Sequence, residues 1–238
     1  MVKGNQRISF VVLYCDDDVQ YLDGLIESLP RNTELILVKT VESETPKVKF
    51  YGTRIQYQVL ICDYEINYID FNLAHFRNVA KSFATCEWIV SLDADERISL
   101  SQVDIDMILK QPQTVGGLMV SLISFTNDNK KGIINTIQPV RIFRKQFNWN
   151  YIIHEQILED ISNQFYNIRS TDIMIRHIGY ASPEIQLKKL RRNLPLICKQ
   201  MIKTPTEYME YKLWQTANAL MQVNQYFKDE QIKYEGLK

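Results

Sequence analysis

Short apolar runs separated by stretches of helical period constrain this chain more than any other feature. Ile8–Tyr14 is apolar apart from Ser9 and rich in β-branched residues, the mark of a buried strand. Asp16, Asp17 and Asp18 follow as caps for a helix whose apolar positions Val19, Leu22, Ile26 and Leu29 recur at helical spacing, and Pro30 ends it. Leu35–Val38 then reads as a second strand. Apolar runs on both sides of an amphipathic helix predict parallel strands covered by helices.

The pattern continues. Val59–Cys62 reads as a third strand, Phe76, Val79, Ala80 and Phe83 as the buried face of a helix, and Trp88–Leu92 as a further core strand. Ser101 and Asp104 make a capping-box pattern ahead of Met107 and Ile108. After Gly116 and Gly117 come the strand-like Leu118–Phe125, a polar turn over 127–132, then Val140–Phe143 and Ile173–Ile178. From Ser182 the character changes to helix. Pro183 stands at a first helical position, Leu187, Leu190, Leu194, Ile197 and Met201 supply an apolar face, and a kink is expected at Pro195. Thr204–Glu207 repeats the start signal, so the end of the chain reads as a helical hairpin. The expected division is 1–181 for the α/β part and 182–238 for the hairpin.

The 28 Lys and Arg balance 28 Asp and Glu, which removes any bulk attraction to nucleic acid. Cys15, Cys62, Cys86 and Cys198 are widely spaced with no CxxC pair, as expected of reduced thiols in a cytoplasmic protein. The start of the chain lacks a signal-peptide core, and no apolar run approaches the roughly 20 residues that span a bilayer. A soluble protein is expected, with peripheral contact at the inner face of a membrane left open.

The chemistry concentrates in Glu87–Glu96, EWIVSLDADE, where an apolar strand ends in carboxylates at i and i+2. In extended backbone these point the same way. Ligands of open α/β sheets bind at the carboxyl ends of strands, and hard divalent cations take carboxylate oxygens that they share with substrate phosphates.

These residues have company. His75-Phe76-Arg77-Asn78 precedes Trp88–Glu96, and Val140–Arg144, Ile153-His154-Glu155 and Ile175–Tyr180 follow in order. With 75–78 and 88–96 as one core block and the other three after it, over roughly residues 8 to 200, the chain resembles the family 2 glycosyltransferases, in particular the bacterial group with a DADE core. The resemblance implies a GT-A type fold: a mostly parallel twisted sheet with flanking helices. It implies inverting transfer of a sugar from a nucleotide-diphosphate donor, UDP first among them, to a hydroxyl of a glycan or lipid-linked acceptor in bacterial surface glycan or lipopolysaccharide synthesis. By the same analogy Asp93 approaches ribose or metal, Asp95 binds the Mn²⁺ or Mg²⁺ bridging the donor phosphates, and His177 completes the metal site. Glu155, with His154 as the alternative, stands where the general base is found. Arg77, Asn78, Arg141 and Arg144 are candidate donor contacts, although an i, i+3 pair on a strand faces opposite sides and only one of the last two is expected at phosphate. Each also has a structural reading: His154-Glu155 as a surface pair, His177 as a core histidine, Arg77-Asn78 as a helix end, the two arginines as surface ion pairs. Trp149 reads equally as an acceptor platform or a core residue.

The chain departs from the family pattern in two places. Lys39-Thr40 stands where an Asp commonly contacts the base at the end of the second strand, leaving Asp63 as the substitute, and Cys15-Asp16 replaces an Asn after the first. Among rivals, a sugar-1-phosphate nucleotidyltransferase would carry a Gly-rich basic first loop that Tyr14–Asp18 lacks. A glycoside hydrolase needs two carboxylates about 5–9.5 Å apart across a bond, and nothing points to such a pair. The HExxH zinc pattern is excluded by Leu158. A processive synthase would show membrane helices and QxxRW. A non-catalytic nucleotide-sugar-binding module remains an alternative. The hairpin resembles the start of helical repeats, but a tetratricopeptide array needs about three of them; packing on the domain or a homodimer contact is expected instead.

Overall fold

In a computed structural model of the chain, residues 8–126, 133–180 and 183–235 are described. They form two compact units, the first comprising the described residues up to Asn150 together with Glu155–Tyr180, the second Tyr151–His154 together with the described residues from Pro183 onward.

The first unit is built on one twisted sheet. Its opening strands are β1 (Ile8–Tyr14), β2 (Glu34–Glu42), β3 (Lys47–Gln56), β4 (Val59–Tyr68) and β5 (Trp88–Asp93). Then come β6 (Glu96–Ile98), β7 (Val115–Thr126), β8 (Ile133–Ile137), β9 (Val140–Arg144) and β10 (Asn167–Tyr180). The order across the sheet is β3-β4-β2-β1-β5-β9-β7-β10-β6, with β8 on β7. Among the described residues six of the ten strands (β1, β2, β4, β5, β7, β10) run one way, and β3, β6, β8 and β9 run against them. The α/β architecture with a mostly parallel sheet and flanking helices is therefore the one expected.

Helices cover both faces. On one face α1 (Val19–Ser28) and α3 (Gln102–Leu109) bury Leu25, Ile26 and Ile108 against Phe10, Val12, Leu35, Leu37, Val90 and Leu92. On the other, α2 (Leu73–Ser82) and α4 (Leu158–Asn163) bury Phe76, Ala80 and Ile161 against Val11, Ile36, Val38, Ile89 and Phe143. The alternation of side chains along each strand sorts β1 and β5 into these two layers. Asp16–Asp18 form a 3-10 turn that ends with Asp18 at the N-cap position of α1, without a side-chain cap bond: its carboxylate accepts instead from the Cys15 N–H at 3.0 Å. Asn72 caps α2 by accepting from His75 N–H, and Ser101 and Asp104 cap α3 reciprocally as expected.

Three strands were not legible in the sequence. β3 is an exposed edge strand whose alternation breaks at a register shift between Phe50 and Gly52. β6 has three residues, and β8 follows the polar segment 127–132, which lies outside the described residues, as does Ser182. β10 starts at Asn167, six residues before the expected strand, in a polar stretch that gives no apolar signal.

In the second unit α5 (Pro183–Lys203) and α6 (Glu207–Glu235) form the helical hairpin, and Pro195 lies inside α5, which runs through it. Ile197, Gln200, Met209 and Thr216 are buried, while Ile202, Trp214 and Met221 face outward. No described helix is long and apolar enough to cross a membrane.

Candidate active site

The carboxyl end of β5 carries the first charged group of the cluster, Asp93. Along β5, Trp88, Val90 and Leu92 point to the α1 face, so Ser91 and Asp93 point to the α2 face. There Arg77, on the buried side of α2, meets both. Its guanidinium donates to Ser91 Oγ at 3.1 Å, to Asp93 Oδ1 at 2.6 Å and through Nε to Glu155 Oε1 at 2.5 Å. Helix α2 thus ties the strand end to a residue 62 positions further along the chain. The Arg77 guanidinium also lies over the Trp149 ring, 5.3 Å from its centre.

On β9 the i, i+3 arginines do go to opposite faces. Arg141 reaches Glu96 Oε1 at 2.8 Å and Asp93 Oδ2 at 3.3 Å. Arg144 sits opposite Trp88 at the other end of β5, stacked over its ring at 4.6 Å. It is paired with Glu87 and donates to the carbonyls of Gln111, Pro112 and Val115. Arg144 is therefore a buried tie at the amino end of β5 rather than a group at the acidic end.

The DADE segment turns sharply after Asp93, so the extended geometry that would align Asp93 with Asp95 ends one residue too soon. Asp93 N–H donates to Glu96 Oε2 at 2.9 Å, closing the turn. Asp95 is directed instead to His177 on β10, whose Nε2 lies 3.0 Å from Asp95 Oδ2 and whose Nδ1 is 3.2 Å from Ser124 Oγ. Glu96, His177 and Ser124 form one cross-strand row over β6, β10 and β7.

The electrostatics follow. Burial pulls the Asp93 carboxyl upward, but the guanidinium of Arg77 and then that of Arg141 outweigh it and hold it well below the usual carboxylate range. Burial pushes Glu96 up, with Arg141 opposing and the Asp93 charge adding to the rise. For His177 burial acts downward, and the Asp95 carboxylate more than offsets it, raising the imidazole above its ordinary value. Both Asp93 oxygens are engaged by guanidinium groups, and both ring nitrogens of His177 are engaged by Asp95 and Ser124. Among the described residues no group of three or more His, Cys, Asp or Glu is arranged to hold a metal by itself.

Other expected site residues lie elsewhere. Asn78 spends both ends of its amide on the Trp149 main chain, accepting at 2.8 Å and donating at 2.9 Å. Trp149 is a core residue, edge-on to Phe143. Asp63 is on the α1 side of the sheet, 3.6 Å from Arg54, lining a cleft of about 430 Å³ with Tyr14, Lys39, Tyr51 and Tyr64. His154 belongs to the helical unit. Glu96, Ser91 and Ser124 were not singled out from the sequence; the period-two spacing of Ser91 from Asp93 was the one available signal.

No family model and no curated sequence matches the chain. Among solved structures it is similar to S. aureus TarS 1-349 in complex with UDP, at 14% identity and a TM-score of 0.49, covering 91% of this chain and 70% of that one. TarS 1-349 in complex with UDP-GlcNAc gives 15% identity, a TM-score of 0.45 and 91% and 71% coverage. TarS 1-349 alone gives 14%, 0.48, 90% and 69%. A superposition at this level carries no inference about ligand or activity.

Proposed function

We propose that the chain is a GT-A type glycosyltransferase that moves a sugar, with inversion, from a nucleotide-diphosphate donor to an acceptor hydroxyl. The observation that supports this best is the half-open acidic strand end. The Asp93 side chain is 40% exposed, whereas those of Arg77, Glu96, Arg141 and Glu155 around it are 11% exposed or less. Such a braced, one-sided charge cluster at the carboxyl end of parallel strands suits a polyoxygen ligand.

In this reading Glu155, oriented through Oε1 by Arg77, accepts the proton of the acceptor hydroxyl at Oε2. The acceptor oxygen bonds to the anomeric carbon as the bond from that carbon to the diphosphate oxygen breaks, and the electron pair leaves with the nucleoside diphosphate. A positioned base of this kind contributes about 10²–10⁴ in rate. Asp95 and His177 would hold Mg²⁺ or Mn²⁺ where their mutual hydrogen bond gives way and the cation takes the place of the shared proton, with a donor diphosphate supplying further oxygens. Such a cation, when bound, would supply Lewis-acid neutralisation of the leaving group. Asp93, Arg77 and Arg141 orient the donor, and the Asp63 cleft is assigned to its base. UDP is the first nucleotide to try; surface glycans and lipid-linked sugars are the acceptor classes.

Donor hydrolysis and UDP binding, each with and without Mn²⁺, test the proposal. Asp95→Ala should abolish the Mn²⁺-dependent part of UDP binding, whereas Glu155→Gln should keep binding and lose turnover by about 10²-fold or more. Normal turnover in both variants would remove the assignment. Binding without turnover in the unaltered chain would favour a nucleotide-sugar-binding module.

A further inference from the structure

Glu155 is reached through an unusual piece of backbone. Asn150 and Gln156 exchange main-chain hydrogen bonds at 2.8 and 3.1 Å, closing a narrow loop around residues 151–155. Within it Tyr151 and His154 have positive φ, 72° and 53°, a left-handed conformation that is uncommon for residues other than glycine and least favourable for a bulky one such as Tyr151. Tyr151–His154 belong to the helical unit, and the constraints come from its two helices. Gln200 on α5, itself buried, accepts from the Ile152 N–H at 2.9 Å. Tyr208 on α6 donates its hydroxyl proton to the His154 carbonyl at 3.1 Å and packs its ring against Tyr151 at 5.9 Å.

We propose that Gln200 and Tyr208 are positioning residues: the hairpin fixes the strained 151–154 backbone, and through the peptide bond to residue 155 it fixes the Glu155 main chain. The proposal rests on the reading of Glu155 as the base. Arg77 fixes the carboxylate at its far end and the loop fixes the Cα. Loosening the loop leaves the carboxylate bound to Arg77 and free to swing about that contact. Donor contacts are untouched, because neither residue is among them.

The test uses the full chain with Gln200→Met and Tyr208→Phe, singly and together. Amide exchange of residues 149–157 is followed alongside hydrolysis of UDP-glucose and other UDP-hexoses with Mn²⁺, and binding of UDP with Mn²⁺. The expected result is faster exchange at Asn150 and Gln156 as well as at Ile152. Turnover should fall about 10- to 100-fold, as for a misplacement on the order of 1 Å, with UDP dissociation within twofold of the unaltered chain. Exchange that rises at Ile152 alone overturns the proposal, as does turnover that stays within twofold or a loss of UDP binding that matches the loss of turnover. Failure of the base assignment looks different. There Glu155→Gln turns over like the unaltered chain, while exchange still decides whether the hairpin holds the loop.

Discussion

Without the Arg77 guanidinium, Glu155 would keep a largely buried carboxylate and lose the cation bound to it, while half-open Asp93 would keep Arg141 alone. Breaking a buried ion pair from one side costs about 3–5 kcal/mol, and the exposure of Asp93 places Arg77→Met near the lower figure. Arg77→Lys keeps a charge but not the fork that reaches three partners at once, so an intermediate loss is expected. Urea unfolding of the three proteins checks the order; equal midpoints would deny it. A second residue, Lys81, predicts a pH dependence. Burial in α2 lowers its ammonium to about 8, while Nζ donates to Asn148 at 2.8 Å and to the Phe147 carbonyl. An unfolded chain holds that proton up to about 10.4. Below pH 8 both states are protonated and the cost of the buried charge is fully present. Between about 8 and 10.4 the unfolded state binds more protons, so this residue's contribution to stability rises with pH. Urea titrations at pH 7.5 and 9.5 should show the unaltered chain gaining on Lys81→Met; identical changes in both would refute the assignment.

Among the elements, β7 and α4 make the most demanding fit. A Cβ on Gly117 would lie 2.7 Å from Ile161 Cδ1 and 2.9 Å from Val140 Cγ1, and one on Gly116 within 2.9 Å of Phe147, Tyr166 and Ile161. The pair of glycines lets α4 lie directly on the strand. Gly117→Ala should therefore destabilise by about 1–3 kcal/mol through overpacking. Combining it with Ile161→Val should recover part of that loss in thermal unfolding. If the single variant melts with the unaltered chain, the contact is looser than described. At the amino end of the sheet, Glu34 is buried and accepts from Thr85 N–H at 2.8 Å and Thr85 Oγ1 at 3.0 Å, with Ser9 as a further donor. Glu34→Ala leaves those donors unsatisfied at about 1–3 kcal/mol for such a group, away from the acidic end of β5. Its melting temperature should fall while UDP binding by the folded protein stays the same.

At the scale of the molecule, legibility followed burial. β1, β2, β4 and β5 lie inside the sheet with helices on its faces, so much of their sequence is apolar and shows as such. β3 and β6 lie at the two edges, and little distinguishes them from loops before their neighbours are known. The charged cluster was legible in its members Arg77, Asp93, Asp95, Arg141, Glu155 and His177, but not in its pairing. That Asp93 and Asp95 part company depends on a turn closed by Glu96, and the role of Glu96 depends on Arg141, 45 residues later. Asn78 and Trp149, 71 residues apart, show the same limit: their local sequence gives no sign that they brace one another.

Four residues from the middle of the chain, Tyr151–His154, belong with the closing pair of helices. Anyone exchanging the tail of this protein for that of a relative would be replacing the partners of Ile152 and His154 while leaving those two residues behind. A graft made at Tyr180 alone would therefore join mismatched parts, and a workable chimera would have to carry a second, internal splice of four residues with it.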